Sequence, residues 1–289
     1  MRRRHGIDAS LKAARAFHIA GVDATSNVAA GQAYGLRVAG TLAHSYVQAH
    51  DDEYEAFRAF ARLYPDTTLL VDTYDTLAGV GKVVALAREL GPAFRVSAVR
   101  LDSGDLGELA CAARRILDEA GLQRVSIFAS GGLNEDDVAR LVAAGAPING
   151  FGVGTDMGVS RDAPALDIAY KLVEYAGRGR LKLSPGKAVL PGRKQIFRVE
   201  RDGLADHDVL ARWDEASTGR PLLQMVMKDG VRLPDARVSL DDARARARRE
   251  RERLPRGVRA LRRADPQYQV IISQELAAAR DEIRRRYER

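Results

Sequence analysis

Short apolar runs, each ending abruptly in polar residues, set the rhythm of the first half of the chain. Leu69-Leu70-Val71 gives way to Asp72-Thr73-Tyr74-Asp75, and the run from Val96 to Val99 to Arg100-Leu101-Asp102-Ser103-Gly104-Asp105. The run from Val125 to Phe128 leads to Ser130-Gly131-Gly132, and Phe151 leads into Gly152-Val153-Gly154-Thr155. Between them, apolar residues recur at helical spacing: Leu77, Val80, Val83, Val84, Ala87 and Leu90 on one face, then Leu106, Leu109, Ala113, Ile116 and Leu117. Each run reads as a buried strand emptying into a helix start, and the repeat is about one strand–helix unit long. Parallel strands carry their chemistry at the carboxyl end, so four polar ends stacked side by side predict one site.

The flanks extend the pattern. Residues 8–20 read as a helix stopped by Gly21, and a second helical run ends at Gly35. Leu36 to Thr41 reads as a strand whose end carries His44, and residues 51–64 as an amphipathic helix with Tyr54, Phe57, Phe60 and Ala61 inward. After Pro164 the rhythm changes. Ile168 to Tyr175 has strand character, 181–236 holds short strands such as Gln195 to Val199 and Leu222 to Met227, and two helices near 240–254 and 272–286 close the chain. The expected class is α/β: an irregular, incomplete (β/α) barrel or open parallel sheet over 1–180, a β-rich segment of a second domain over 181–236, and a helical region over 237–289.

Composition narrows the function classes. With 46% hydrophobic residues the 289-residue chain can bury a sizeable core, and its one cysteine, Cys111, excludes an intrachain disulfide framework and suits a reducing, cytoplasmic setting. Neither a signal peptide nor a membrane span is visible, so no membrane partner is expected. The net charge of +7 resides in the tail: from Leu240 onward 15 Lys and Arg face 9 Asp and Glu, leaving 31 against 30 before it. Those charges alternate in sign along a helix and lack interleaved aromatics, the pattern of a solvated face, so no nucleic-acid partner is expected either.

The strand ends can be sorted by what they bind. Gly131-Gly132 and Gly152-Val153-Gly154-Thr155 free backbone amides at turn or helix starts, an arrangement suited to phosphate, though tight turns alone would use the same glycines. Asp72, Asp75, Asp102 and Asp105 suit Mg²⁺ held with a substrate's phosphates or the hydroxyls of a ribose; helix capping is the plainer role for Asp75 and Asp105. A guanidinium at the end of an apolar strand needs an anion, so Arg100 points to a substrate carboxylate, or to a salt bridge with Asp102 or Asp72. His44 is either structural or a general base or phosphate acceptor. No lysine stands on a strand end between 36 and 155 to form a Schiff base, which disfavours an aldolase.

Taken together, Val99-Arg100-Leu101-Asp102-Ser103-Gly104-Asp105, Gly40-Thr41-Leu42-Ala43-His44, Val71-Asp72-Thr73-Tyr74-Asp75-Thr76, Thr25-Ser26-Asn27-Val28 and Gly152-Val153-Gly154-Thr155 resemble nicotinate phosphoribosyltransferase, from Arg2 to the C-terminus. The resemblance implies a type II phosphoribosyltransferase barrel that joins nicotinate to phosphoribosyl pyrophosphate (PRPP), releasing pyrophosphate, with ATP hydrolysis through a phosphohistidine and Mg²⁺ accompanying PRPP and ATP. His44 would be the phosphorylated histidine, Arg100 would hold the nicotinate carboxylate, and Asp102 would bind ribose or pyrophosphate. Asp72 or Asp75 would serve the Mg²⁺–PRPP end, and Gly131, Gly132, Gly152 and Gly154 the 5′-phosphate. Arg2 would lie near pyrophosphate and base, with Thr41, Ser103, Ser130 and Thr155 completing the substrate-binding set. The family also carries an N-terminal region ahead of the matched part, which supplies part of the barrel, sheet for the second domain and a dimer interface. The chain therefore reads as the catalytic portion of such an enzyme, with a truncated inactive fragment, half of a split enzyme or another phosphate-binding barrel phosphoribosyltransferase, such as a quinolinate-using one, as alternatives.

Overall fold

The computed structural model describes residues 5–166, 168–184 and 189–287. The chain divides into two units: one runs to Ala165 except for His18–Gly21, and the other takes His18–Gly21 and everything from Leu166 onward.

The first unit begins with helices α1 (Ile7–Ala20), α2 (Val28–Tyr34), α3 (His44–Gln48) and α4 (Glu53–Leu63). Strict alternation follows: β1 (Thr68–Leu70), α5 (Thr76–Leu90), β2 (Ala98–Leu101), α6 (Leu106–Glu119), β3 (Ser126–Ser130), α7 (Glu135–Ala143), β4 (Gly150–Gly152) and α8 (Thr155–Val159). The strands form one parallel sheet in the order β1-β2-β3-β4. Each crossover helix starts where a polar side chain takes up its free amides: Asp75 accepts from Ala78 N, Asp105 from Gly107 N and Glu108 N, and Asn134 forms a capping box with Asp137. Leu69, Leu70, Val71, Val99, Leu101 and Ile127 are buried beneath Val80, Val83 and Leu86 of α5 and Ala110, Ala113 and Leu117 of α6.

Two local expectations are corrected. Leu36 to Thr41 forms no strand, only a single parallel bridge from Thr25 to Val38, and His44 opens helix α3 instead of ending a strand. Leu77 is solvent-exposed, because α5 turns Gly79 onto β1, so closely that a Cβ there would lie 2.1 Å from the Val71 carbonyl oxygen. A residue two positions away lies about 200° round the helix and faces out.

The second unit holds two small hairpins, β5 (Glu174–Tyr175) with β6 (Arg178–Gly179) and β10 (Met227–Lys228) with β11 (Val231–Arg232), around a larger sheet. That sheet joins β7 (Lys194–Arg201), β8 (Leu204–Arg212), β9 (Arg220–Pro221) and β12 (Gln269–Ile272) in the order β12-β8-β7-β9. The expected strand from Ile168 to Tyr175 contracts to β5, with Tyr170 99% exposed, and the one from Leu222 to Met227 leaves only Met227 in β10. Helices α9 (Leu240–Glu252), α10 (Arg256–Arg259) and α11 (Gln274–Arg285) complete the unit. Inside it Arg198 grips Asp208 through two bonds of 2.9 Å, and the Tyr268 hydroxyl donates to the same carboxylate at 2.9 Å. Among the described residues, no helix is long and apolar enough to cross a membrane.

Candidate active site

The register of the parallel sheet builds the site. Leu70 pairs with Arg100, Arg100 with Phe128 and Phe128 with Gly150, so one step of two residues farther along the strands brings Asp72, Asp102, Ser130 and Gly152 abreast. Because side chains alternate along a strand, Arg100 and Asp102 project from the same face. Phe128 needs the glycines opposite: a Cβ at Gly150 or at Gly152 would stand 3.0 Å from its ring.

Arg100 is tied on three sides. Its Nε donates to Ser130 Oγ at 2.7 Å, Nη1 to Thr41 Oγ1 at 2.8 Å and Nη2 to Asp102 Oδ1 at 2.5 Å. The salt bridge to Asp102 left open by the sequence is therefore formed. A guanidinium has five N–H groups, so one on each terminal nitrogen is left without a partner among the described residues, a fork that matches a carboxylate. Buried Ser130 also donates to Asp102 Oδ1. Burial pushes the Asp102 carboxyl up, but the hydrogen bonds from Ser130 and Arg100 and the charge of Arg100 outweigh it and hold the group below its ordinary value.

Asp72 is the best-shielded carboxylate of the set, its side chain 1% exposed. Oδ2 accepts from the Asp102 backbone N–H at 2.9 Å and from Ser103 Oγ at 2.6 Å, while Oδ1 is buried with no hydrogen-bond partner. His44 Nε2 lies 4.0 Å from that orphaned oxygen and 3.8 Å from Asp102 Oδ2. Its Nδ1 is 3.1 Å from Thr73 Oγ1. Thr73 is a contact the sequence reading passed over; its place between Asp72 and Asp75 on one strand end is the only signal it gave.

The phosphate candidates lie alongside. Gly131 and Gly132 have φ of 106° and 70°, and their amides donate to nothing among the described residues. A Cβ at Gly131 would lie 1.9 Å from the Asp102 carbonyl oxygen, so only glycine lets this loop pass so close to the site. Gly154 caps α8, and Thr155 is its first residue. Beside the loop, a cavity of about 290 Å³ is lined by Gly104, Asp105, Gly107, Gly131 and Arg140 among others. Asp75 and Asp105 accept hydrogen bonds from helix amides as the N-caps of α5 and α6, and Arg2 lies outside the described residues. Among the described residues no three His, Cys, Asp or Glu side chains are grouped to hold a metal ion.

Known proteins are similar to this chain along most of its length. Residues 9–171 fit the model of the family described as quinolinate phosphoribosyl transferase, C-terminal domain. The chain is 52% identical to nicotinate phosphoribosyltransferase pncB2 of Mycobacterium tuberculosis over 95% of its own length and 59% of that protein's. It is 31% identical to the nicotinate phosphoribosyltransferase of Bos taurus, with 98% of this chain and 68% of the relative covered. The crystal structure of human nicotinic acid phosphoribosyltransferase superposes with a TM-score of 0.81 at 28% identity, covering 97% of this chain and 68% of that one. The chain thus spans about three fifths of the length of the mycobacterial relative. With the family model matched over more than half of the chain and a 31% identical relative covered to 68% of its length, the chain belongs to the nicotinate phosphoribosyltransferase family of type II phosphoribosyltransferases.

Proposed function

We propose that this chain carries the catalytic portion of a nicotinate phosphoribosyltransferase, which forms nicotinate mononucleotide and pyrophosphate from nicotinate and PRPP in NAD biosynthesis. The observation that carries the reading is Arg100. It is a partly buried guanidinium, fixed from three sides, that keeps one N–H on each terminal nitrogen beside two strand-end carboxylates and two glycine amides that donate to nothing among the described residues.

Forming a C–N bond at an anomeric carbon passes through an oxocarbenium-like state, so the protein's task is to hold ring and ribose in line and to stabilise the departing charge. Arg100 holds the nicotinate carboxylate, the amides of Gly131, Gly132, Gly152 and Gly154 grip the 5′-phosphate far from the reacting carbon, and Asp102 orients the ribose. Asp72 and Asp75 are the residues for Mg²⁺, and the orphaned Oδ1 of Asp72 is the atom that fits it. With no three-residue cage among the described residues, phosphate oxygens and water would fill the remaining positions, as Mg²⁺ ordinarily prefers. When bound, the ion neutralises pyrophosphate as it leaves. ATP is the co-substrate, and His44 takes its phosphoryl group; the bond formed is N–P, and ADP departs. A phosphorylated His44 places negative charge beside Asp72 and Asp102, where it draws cation and PRPP together. A homodimer and a cytoplasmic setting complete the reading.

The test is product formation from labelled nicotinate, PRPP, Mg²⁺ and ATP, by the chain alone and by the longest open reading frame containing it, with quinolinate as the competing substrate. Nicotinate mononucleotide from either protein supports the reading. Turnover of quinolinate alone favours the quinolinate-using alternative, and no product from both overturns the assignment.

A further inference from the structure

His44 is held by very little. It opens a helix of five residues whose N-cap, Ala43, makes no side-chain bond, and its own side chain is 41% exposed. Nε2 stands 3.8 Å from Asp102 Oδ2 and 4.0 Å from Asp72 Oδ1, too far for hydrogen bonds. The one hydrogen bond that the ring makes among the described residues is therefore Nδ1 to Thr73 Oγ1, at 3.1 Å. The torsion that turns an imidazole on its Cβ is broad and nearly two-fold, and a half-turn puts carbon atoms where the nitrogens were. Nothing intrinsic to histidine chooses between those states. We infer that Thr73 is a positioning residue, whose hydroxyl selects the ring orientation that presents His44 Nε2 to the space beside Asp72 and Asp102. This rests on the functional reading above and deepens it: Nε2 becomes the atom that takes the phosphoryl group of ATP.

The surroundings give Thr73 the rigidity that this needs. Val71 N donates to the Arg100 carbonyl at 3.2 Å, Asp72 accepts from the Asp102 N–H and Ser103 Oγ, and Asp75 caps α5, so Thr73 stands between anchored residues. Its hydroxyl accepts from Nδ1–H, which leaves the lone pair of the neutral ring on Nε2. That lone pair attacks the γ-phosphorus: the Nε2–P bond forms, the P–O bond to the β-phosphate breaks, and ADP departs with its electron pair. The proton stays on Nδ1 throughout, against Thr73. In the turned ring one C–H would face the hydroxyl and another the incoming phosphorus, and no transfer can occur.

The experiment compares the longest open reading frame containing the chain with its Thr73→Val and Thr73→Ser variants. Valine keeps the shape and loses the hydroxyl, whereas serine keeps the hydroxyl. With Mg²⁺ and γ-labelled ATP, Thr73→Val is expected to form phosphoenzyme about three- to tenfold more slowly, the scale of one hydrogen bond, and Thr73→Ser to restore the rate to within about twofold. The loss falls on the rate of labelling more than on the ATP concentration that half-saturates it. Phosphorus NMR of the unfolded phosphoenzyme should place the label on Nε2. Equal rates in wild type and Thr73→Val, no rescue by serine, or label on Nδ1 overturns the inference. A second readout needs no ATP: the long-range ¹H–¹⁵N correlations of the His44 ring, assigned by their loss in His44→Ala, should move at Nδ1 in Thr73→Val and stay in Thr73→Ser. If wild type takes no label, the role of His44 in the functional reading falls, while this signal still decides whether Thr73 holds the ring, and an unmoved Nδ1 overturns the inference by itself. Thr73→Ala replaces the valine variant if melting curves show that it does not fold.

Discussion

Gly131→Ala is the substitution for which the geometry gives the sharpest expectation. The new Cβ would lie 1.9 Å from the Asp102 carbonyl oxygen, about 1.5 Å inside the 3.4 Å at which ordinary contact begins, and 2.8 Å from the carbonyl carbon. The obstacle is backbone, so no side-chain rotation relieves it. Alanine must also adopt φ near 106°, which costs an L-residue ~1–2 kcal/mol. Overpacking against a fixed neighbour adds ~1–3 kcal/mol. The expected loss is therefore about 2–5 kcal/mol. Gly132→Ala is the matched control: φ is 70° there but nothing stands within 4 Å of a Cβ, so only the backbone strain of ~1–2 kcal/mol applies. Urea unfolding of both variants, followed by far-ultraviolet circular dichroism, separates the two contributions. The same displacement pushes on Asp102, whose N–H holds Asp72, so PRPP binding should weaken in Gly131→Ala beyond what Gly132→Ala causes. Equal stability losses in the two variants, within about 0.5 kcal/mol, would refute the argument that this glycine is required by close approach.

Four further outcomes follow from the same geometry. His44→Ala should abolish nicotinate-stimulated ATP hydrolysis and leave PRPP binding measurable by calorimetry; retained coupling would remove His44 from the role proposed for it. Arg100→Leu should cost about 2–3 kcal/mol of nicotinate affinity, as expected for a charge-assisted bidentate contact, with little change for a carboxylate-free pyridine, and equal losses would argue against the contact. Asp75→Ala should destabilise the chain by about 1 kcal/mol through loss of the α5 cap, and Mg²⁺-dependent PRPP binding then separates capping from ligation. For Asp208, burial raises the carboxyl but the hydrogen bonds from Arg198 and Tyr268 outweigh it, so its folded-state value is depressed. Its contribution is thus fully present above the unfolded value of about 3.9 and is lost as pH falls through the folded one, and Asp208→Asn should flatten that acid limb in melting curves from pH 6 to 2.

The legible parts of the fold were those in which local pattern and tertiary context agree. Helices α5, α6 and α9 and the parallel strands had periodicity, caps and length in the sequence. What was not legible had no local signature. Strand β12 takes its place beside β8 through a pairing of Gln269 to Ile272 with His207 to Leu210, some sixty residues apart, and it is exposed along its length, so no burial pattern announces it. Ile168, Tyr170 and Leu172 show the reverse: alternation that suggested a strand, with no partner among the described residues to pair it. In the site, the sequence placed Asp72, Arg100, Asp102 and Ser130 on neighbouring strand ends, but which atoms meet depends on the offset between strands. The role of Thr73 and the bridging of Ser130 were therefore hidden.

That offset also settles a question that composition left open, namely why the strand ends carry polar residues in pairs. At the first three strand ends the residue abreast of the rung faces the site, and one three or four positions later caps the start of the next helix: Asp72 and Asp75, Asp102 and Asp105, Ser130 and Asn134. The spacing has a cause. A strand that ends on the rung needs two or three residues to turn over the sheet edge, and the first residue free to cap is the one that arrives beneath the new helix. The inner member of each pair is immobilised by its neighbours, as Asp72 is by the Asp102 N–H and Ser103, whereas the outer member spends an oxygen on helix amides. Substitution at an outer position should thus be felt first in stability, and at an inner position first in ligand binding.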